Sequence, residues 1–533
     1  MKILFIVPPN ITFDKFIHPP EHNSRIIIKK DGKTYGNVIT EISLGCLAMS
    51  SYIKRYEPSI KTELIDFGVI LNKLDSFTYY NFEDLFFDYL SKVKETPDII
   101  CITSLFMQVY NSTLEIAKRC RKLWKSSTIV LGGGVPTNLY QRIFKECDDI
   151  DGICFGEGEI ALLSLVQNGD FRNSSWTTKD QQTPQYNFIQ NLDEIPLYDY
   201  GLINVEDYNN SVTTCNPALN CVKSIQYMTS RGCIHKCTFC SSHSIHGNKM
   251  RYHSIKRIKK DLDYFKSINI KTVVFQDDNI LSNKSRFKEI LQYLQKLQLL
   301  PFFQNGLSIH LMDKKILQLL KDVGTQEIIL PIESGSDKVL KQIMKKPLNC
   351  AIIKRVVNDC NELGLYTNAN IIIGLPGETK EDIEDSIKFL KTLSVNWYHI
   401  FNFSPLVGSY LYQICIDNGY IKKDISYMDD YKTPIVNTEN FDSKYIEQKM
   451  YEMNLELNFI YNYDYINHQY DRALIGFKNA IKAKPTHALA YYFINKCYKQ
   501  LNKPKLAYKY MELCKQYQDD FWKSVFNKYG III

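Results

Sequence analysis

Arg231-Gly-Cys-Ile-His-Lys-Cys-Thr-Phe-Cys-Ser-Ser242 directly follows the apolar run Ser224–Thr229 and opens a region of alternating strand and helix patterns. Its cysteines, Cys233, Cys237 and Cys240, are spaced C-x3-C-x2-C, so one short loop can wrap three sulfurs round three corners of a cube. Thiolates are the soft ligands that iron-sulfur clusters require. Three of them leave one iron open to a substrate or cofactor, whereas a cluster that only passes electrons normally has four protein ligands. A zinc loop is the competing reading, with His235 or His243 as the fourth ligand that zinc needs.

Downstream of the loop, Lys271–Gln276, Phe302–Leu307, Gln326–Ile332, Thr367–Ile373 and Trp397–Phe403 read as further strands. Helical patterns such as Ile255–Ser267 and Lys314–Val323 separate them. Six beta-alpha units predict an incomplete parallel barrel with its chemistry at the C-terminal ends of the strands. Upstream, strands at Lys2–Val7, Lys61–Asp66, Asp98–Thr103, Ser127–Leu131 and Gly152–Phe155 alternate with helices at Leu44–Lys54, Asn111–Trp124 and Asn138–Cys147, the pattern of a doubly wound sheet. Gly169–Cys221 is polar and weakly periodic and reads as a linker. Past Ser443 the pattern is helical, with Ala473, Phe477 and Ala480 matched 34 residues later by Ala507, Met511 and Cys514, and with Pro485 after the first unit, similar to a tetratricopeptide repeat. A plain helical cap is the alternative. The expected α/β chain is therefore a Rossmann-like domain at 1–168, a linker at 169–221, a partial (β/α)6 barrel at 222–442 and a helical tail at 443–533.

Composition narrows the function classes. With 533 residues, 45% apolar and 23% charged, the chain can bury several cores and lacks the profile of disorder. Its 65 basic and 58 acidic residues leave only +7, and Lys256–Lys260 reads as one helix face, which argues against nucleic acid. No apolar run reaches the roughly 18 residues of a membrane span, and Met1–Pro9 is too short for a leader, so a cytoplasmic protein is expected. Fifteen cysteines, an odd number standing mostly alone, fit reduced thiols.

The cysteine loop in this context resembles the radical S-adenosylmethionine superfamily. The resemblance implies a 4Fe-4S cluster whose open iron is chelated by the amino and carboxylate groups of S-adenosylmethionine, and one-electron cleavage to a 5′-deoxyadenosyl radical. It places Phe239 beside the adenine, where a planar apolar face suits a purine. Three later segments fit the same resemblance, Phe275-Gln-Asp-Asp-Asn279, Ile332-Glu-Ser-Gly-Ser336 and Ile373-Gly-Leu-Pro-Gly-Glu-Thr379, and Pro405-Leu-Val-Gly-Ser409 resembles a segment near the end of such barrels. Glu333 and Ser334 are then candidates for the ribose or the methionine amine, and Asp277 and Asp278 for cationic or hydroxyl groups. Gly374 belongs to the cofactor site or to a tight turn, and Asp277 is equally suited to capping a helix.

In the first domain, Thr103-Ser-Leu105 and Gly132-Gly-Gly134 leave a groove in which a ligand tail can lie against backbone. They resemble the serine/threonine-x-Leu and Gly-Gly marks of the cobalamin-binding Rossmann-like domain, where they line the channel for the nucleotide tail. That assigns Thr103, Leu105, Gly132, Gly133 and Gly134 to the cofactor. Gly156-Glu-Gly-Glu159 is typical of the version fused to radical S-adenosylmethionine barrels, which brings in Glu157, although Glu157 and Glu159 also suit a helix start. The family's D-x-H-x-x-G is replaced by Asp66-Phe-Gly-Val-Ile-Leu71, so no histidine ligand to cobalt is evident. A nicotinamide site is disfavoured because no G-x-G-x-x-G follows the first strand.

The resemblance covers residues 1–440 and implies a cobalamin-dependent radical S-adenosylmethionine enzyme that methylates an unactivated carbon or phosphorus, with an external electron donor of flavodoxin or ferredoxin type. One alternative is a non-methylating member that forms rings or rearranges its substrate. Another is a methylthiotransferase, for which Cys46, Cys101, Cys120, Cys147 and Cys154 supply N-terminal thiols. The helical tail, rich in tyrosines such as Tyr491, Tyr492, Tyr498 and Tyr508, is expected either to recruit a protein partner or to act as a structural cap.

Overall fold

The computed structural model describes residues 1–19, 27–211, 223–422 and 432–533. The end of the expected linker and parts of the barrel region, at 212–222 and 423–431, lie outside the described residues. The first sheet comprises β1 (Lys2–Val7), β2 (Lys61–Asp66), β3 (Ile99–Thr103), β4 (Thr128–Gly132), β5 (Gly152–Cys154) and β6 (Trp176–Thr177), in the order β2-β1-β3-β4-β5-β6. The first five are parallel, and β6 runs antiparallel at the edge. Ile3, Leu4, Phe5 and Ile6 are all fully buried, because a central parallel strand is covered on both faces and has no polar side to show. Strand order reverses between β1 and β3, so a crevice opens beyond their carboxyl ends, where such sheets bind ligands.

Two expectations shift here. The helix expected from Asn138 starts at Gly134, immediately after β4, because Gly133 turns the chain at φ +105°. The expected linker contributes β6, whose Trp176 indole donates to the Ala161 carbonyl at 2.9 Å, and it buries Leu192, Tyr198 and Tyr200 in the barrel core. Its polar composition hid these few anchors.

The barrel strands are β7 (Ser224–Tyr227), β8 (Thr272–Phe275), β9 (Leu300–Phe303), β10 (Glu327–Glu333), β11 (Tyr366–Ile373) and β12 (Trp397–Asn402). They form two parallel triplets, β9-β8-β7 and β10-β11-β12, with no ladder between β9 and β10 among the described residues. Pro331 in β10 lacks an N–H to donate, and the register slips between Pro331 and Glu333. β9 begins two residues before the expected Phe302–Leu307 and stops at a turn where Gly306 adopts φ +72°.

Helices at Ser443–Leu455, Tyr470–Ala483, Ala488–Gln500, Pro504–Gln516 and Asp520–Lys528 make up most of the tail. The Asn458 side chain completes the open edge of β12, accepting from the Tyr398 N–H at 2.7 Å and donating to its carbonyl at 2.8 Å. Gly476 lies directly against the Trp397 ring, where no side chain fits. Among the described residues no helix is long and apolar enough to cross a membrane.

Candidate functional site

The cysteine loop leaves the barrel at the C-terminal end of β7, and Asp277 fastens its root. This carboxylate is fully buried and accepts from the Thr229 N–H at 3.0 Å, the Thr229 hydroxyl at 2.6 Å and the Ser230 hydroxyl at 2.5 Å. Asp277 is thus an internal anchor, which corrects its assignment to a ligand. Asp278, by contrast, lines an internal cavity and accepts from the Gly232 N–H at 3.3 Å. Gly232 itself sits at φ +88°, and a Cβ there would collide with the Lys249 carbonyl.

Cys233, Cys237 and Cys240 are partly exposed free thiols. Burial pushes all three up, Cys240 to about 12. Asn279 donates to the Cys233 sulfur at 3.8 Å, and Cys237 and Cys240 open onto a cavity of about 560 Å3. Among the described residues no three Cys, His, Asp or Glu side chains converge as a single metal ion requires. His243 is engaged with the Cys233 carbonyl at 3.2 Å, and His235 packs on His310 with ring centroids 4.9 Å apart. This disfavours zinc. A cube, which takes its ligands at separate corners, fits three free thiols on one loop.

Phe239, Glu333 and Ser334 gather beside the loop. Lys346 joins two of them, lying 3.0 Å from the Glu333 carboxylate and 5.9 Å from the Phe239 ring centroid. Glu333 ends β10 at φ +66°, a conformation that favours glycine, and the buried Ser334 hydroxyl accepts from the Ser336 N–H at 3.2 Å. Gly374 corresponds to the tight turn. Its N–H donates to Glu378 at 2.6 Å and its open side meets Ile446 of the tail, so it is withdrawn from the cavity group. Glu378, quoted with that motif but given no role, is wholly buried with one oxygen unpartnered, and burial pushes its carboxyl up to about 8.

A second cavity, of about 450 Å3, lies between the two domains. Thr103, Leu105, Gly132 and Gly133 line one side, and Met228, Gln276, Asp278 and Gln304 the other. A Cβ on Gly133 would stand 2.6 Å from the Ser104 carbonyl, and the neighbouring Ser104 hydroxyl is buried without a partner. A backbone-lined groove with an orphaned hydroxyl fits a polar cofactor tail. Gly134 lies just outside, where an added Cβ would stand 3.1 Å from the Ile245 side chain. Where the classical domain has its histidine, Gly68 belongs to a helix capped by Asp66, which accepts from the Gly68 and Val69 N–H groups at 2.9 and 3.1 Å. His246 also lines the cavity, but it is bound to Glu157 at 2.8 Å.

Glu157 therefore has a different task from the one expected. It is buried and meets Arg251 at 2.6 Å, Arg231 at 3.1 Å and His246, while Glu159 takes the other Arg231 nitrogen at 2.6 Å. Burial pushes its carboxyl up, but Arg231, Arg251 and His246 outweigh this and hold it well below the usual range. Two carboxylates of the first domain thus clamp two arginines of the barrel. Arg231 stood in the cysteine motif, yet its partner over 70 residues away left no local signal. Cys46, Cys101 and Cys154 lie buried in the cavity wall, and burial pushes their thiols up, Cys46 to about 12.

Comparison with known proteins agrees with this architecture. Residues 227–390 match the radical SAM superfamily, named for S-adenosylmethionine, and residues 82–166 match the B12 binding domain. An uncharacterised methyltransferase of Pyrococcus horikoshii is 29% identical over 360 residues, covering 64% of this chain and 74% of that protein. The cytidylyl-2-hydroxyethylphosphonate methyltransferase of Streptomyces wedmorensis is 26% identical over 428 residues, covering 72% and 79%. Among solved structures, the cobalamin-dependent S-adenosylmethionine radical enzyme OxsB superposes with a TM-score of 0.59 at 16% identity, over 100% of this chain and 81% of that one. The radical S-adenosylmethionine methyltransferase TsrM of Kitasatospora setae gives 0.59 at 13% identity, over 79% and 77%. A partial barrel headed by a thiol loop thus shares one cavity with a B12 groove, and the chain combines a radical SAM domain with a B12 binding domain.

Proposed function

We propose that the enzyme is a methyltransferase that modifies an unactivated carbon or phosphorus atom in the cavity between its two domains. The observation that carries this reading is the shared cavity, lined by residues at the C-terminal ends of β3 and β4 of the first sheet and just past β7, β8 and β9 of the barrel. The similarity to two proteins named as methyltransferases supports it. Cys233, Cys237 and Cys240 would hold the cluster, and Thr103, Leu105, Gly132 and Gly133 the cobalamin. Phe239, Asp278, Glu333 and Ser334 would hold S-adenosylmethionine. The cofactors supply one-electron cleavage of the sulfonium and a transferable methyl group. This chain's residues supply position within that cavity. Lys346 keeps the Glu333 carboxylate oriented, and Met228 and Leu105 present apolar surface to the substrate space.

The reading is tested by reconstituting the full chain anaerobically with iron, sulfide and hydroxocobalamin, then supplying S-adenosylmethionine with a deuterated methyl group and candidate substrates. A product carrying the labelled methyl, formed with both 5′-deoxyadenosine and S-adenosylhomocysteine, is the expected result. Formation of 5′-deoxyadenosine with no labelled product from any substrate that stimulates it would leave a radical enzyme that is not a methyltransferase. In the same preparation Gly133→Ala is expected to lose most of its cobalt and keep its iron, because the added methyl must displace the Ser104 carbonyl at a backbone conformation that alanine rarely adopts. Equal cobalt in both proteins would remove the glycine turn from the cofactor site.

A further inference from the structure

A cavity of about 850 Å3 lies between β12 and the helical tail, and no residue of its wall lines either cavity described above. Side chains alternate along a strand, so β12 buries Tyr398 in the barrel core and turns Trp397 and His399 outward to this cavity. With Ile400, Met450, Leu455, Phe521 and Val525, Trp397 makes the wall mostly apolar. The volume is that of a small-molecule site. Its acids and lysines are few. Glu452 is taken by Lys528 and by Lys449 at 2.8 Å, and Lys449 also meets Glu384 at 2.7 Å. Glu447 is exposed, where water screens it. Lys484 is different. Its ammonium stands 5.2 Å from the Trp522 ring centroid, 5.4 Å from that of Tyr451 and 5.9 Å from that of Phe521, and donates to the Tyr451 hydroxyl at 3.3 Å. It forms no ion pair among the described residues. Burial pushes the amine down, and Asp519, occupied in capping the last helix through the Trp522 N–H at 2.9 Å, offsets this only in part.

From this arrangement we infer that the cavity between β12 and the tail binds an apolar monocarboxylate, whose carboxylate accepts from Lys484 and whose apolar part lies against Trp397, Met450 and Phe521. Ring faces attract a cation without cancelling its charge, so the ammonium keeps its need for an anion. A carboxylate meets that need with a charge-assisted hydrogen bond in surroundings of low polarity, where the bond is stronger than in water. One unpaired lysine matches one negative charge. A phosphate monoester would bring a second charge into an apolar wall with no partner for it, because Lys449 and Lys528 are already paired. His487 adds no cation, since burial, with Lys484 beside it, pushes its imidazole down to about 3. An occupant touches both the last barrel strand and the tail helices, and therefore stabilises their junction. The inference is independent of the methyl-transfer reading, because the cavity shares no residue with the candidate site.

The test is calorimetric titration of the full-length protein. Octanoate and para-butylbenzoate are the probes, one aliphatic and one aromatic, and the matching alcohols, octanol and para-butylbenzyl alcohol, are the uncharged controls. At least one carboxylate is expected to bind at a single site per chain, at least tenfold more tightly than its alcohol. Lys484→Met keeps the apolar stem and removes the charge, so it should weaken that carboxylate at least tenfold and leave the alcohol within twofold. Ala480→Trp places a ring in the cavity and should abolish carboxylate binding, whereas Lys505→Met, on the exposed surface of the tail, should match the wild type. The bound carboxylate should also raise the Tm of the wild type and leave that of Lys484→Met unchanged. Equal affinity of the wild type for a carboxylate and its alcohol overturns the inference without any variant. So does the failure of both carboxylates to bind. Carboxylate affinity that survives in Lys484→Met or in Ala480→Trp puts the bound molecule elsewhere and overturns it too.

Discussion

Cys237→Ala is expected to strip the enzyme of its iron and to reduce 5′-deoxyadenosine formation to background. The loop offers three free thiols, and His243 is held by the Cys233 carbonyl. Two remaining sulfurs cannot hold three corners of a cube. The fold should survive, because Cys237 is only partly buried, and a change at such a site costs within about 1 kcal/mol. Iron analysis, the visible spectrum and a urea melt on the same sample separate these effects. Sulfonium cleavage retained at the wild-type rate would refute the cluster assignment.

Glu157→Ala is expected to be the most destabilising single change at the domain junction, at about 3–5 kcal/mol. That is the scale for stranding buried charges by removing their partner. Arg231, Arg251 and His246 would all face the empty position, with only Glu159 left to answer Arg231. Because the folded carboxyl lies below its unfolded value of about 4.3, the stability it contributes is present above that pH and is lost as pH falls through the folded value. Glu157→Gln keeps the shape without the titration, so the wild-type advantage over it should shrink steadily below about pH 4. Urea melts at pH 7 and pH 3.5 read both effects. An unchanged melt for Glu157→Ala at pH 7 would show that the clamp contributes nothing to the junction.

Much of the fold was legible in local pattern. The continuous apolar run of β1, the alternation of strands with amphipathic helices and the helical pattern of the tail are all short-range signals, and each element lies close to where its pattern falls. The cysteine loop was legible for the same reason, since its three ligand candidates fall within eight residues of chain. Where the pattern misled, the cause was a neighbour distant in sequence. Phe302–Leu307 slid to Leu300–Phe303 because the chain turns at Gly306, whose open side meets Pro331. The polar stretch after Gly169 hid β6 and the tyrosines that anchor it to the barrel.

Site chemistry divides along the same line. The sequence alone determined which residue types could bind soft metal, because that property belongs to single residues and to short loops. Tertiary structure alone decided what each polar group was left to do. Asp277 and Asp278 are adjacent in the chain, yet one is consumed by Thr229 and Ser230 while the other faces the cavity. Glu157 passed from candidate ligand to domain clamp once Arg231 and Arg251 closed on it. A carboxylate's function follows from which charges and donors surround it in a medium of low polarity, and those partners come from strands that only the folded chain brings together.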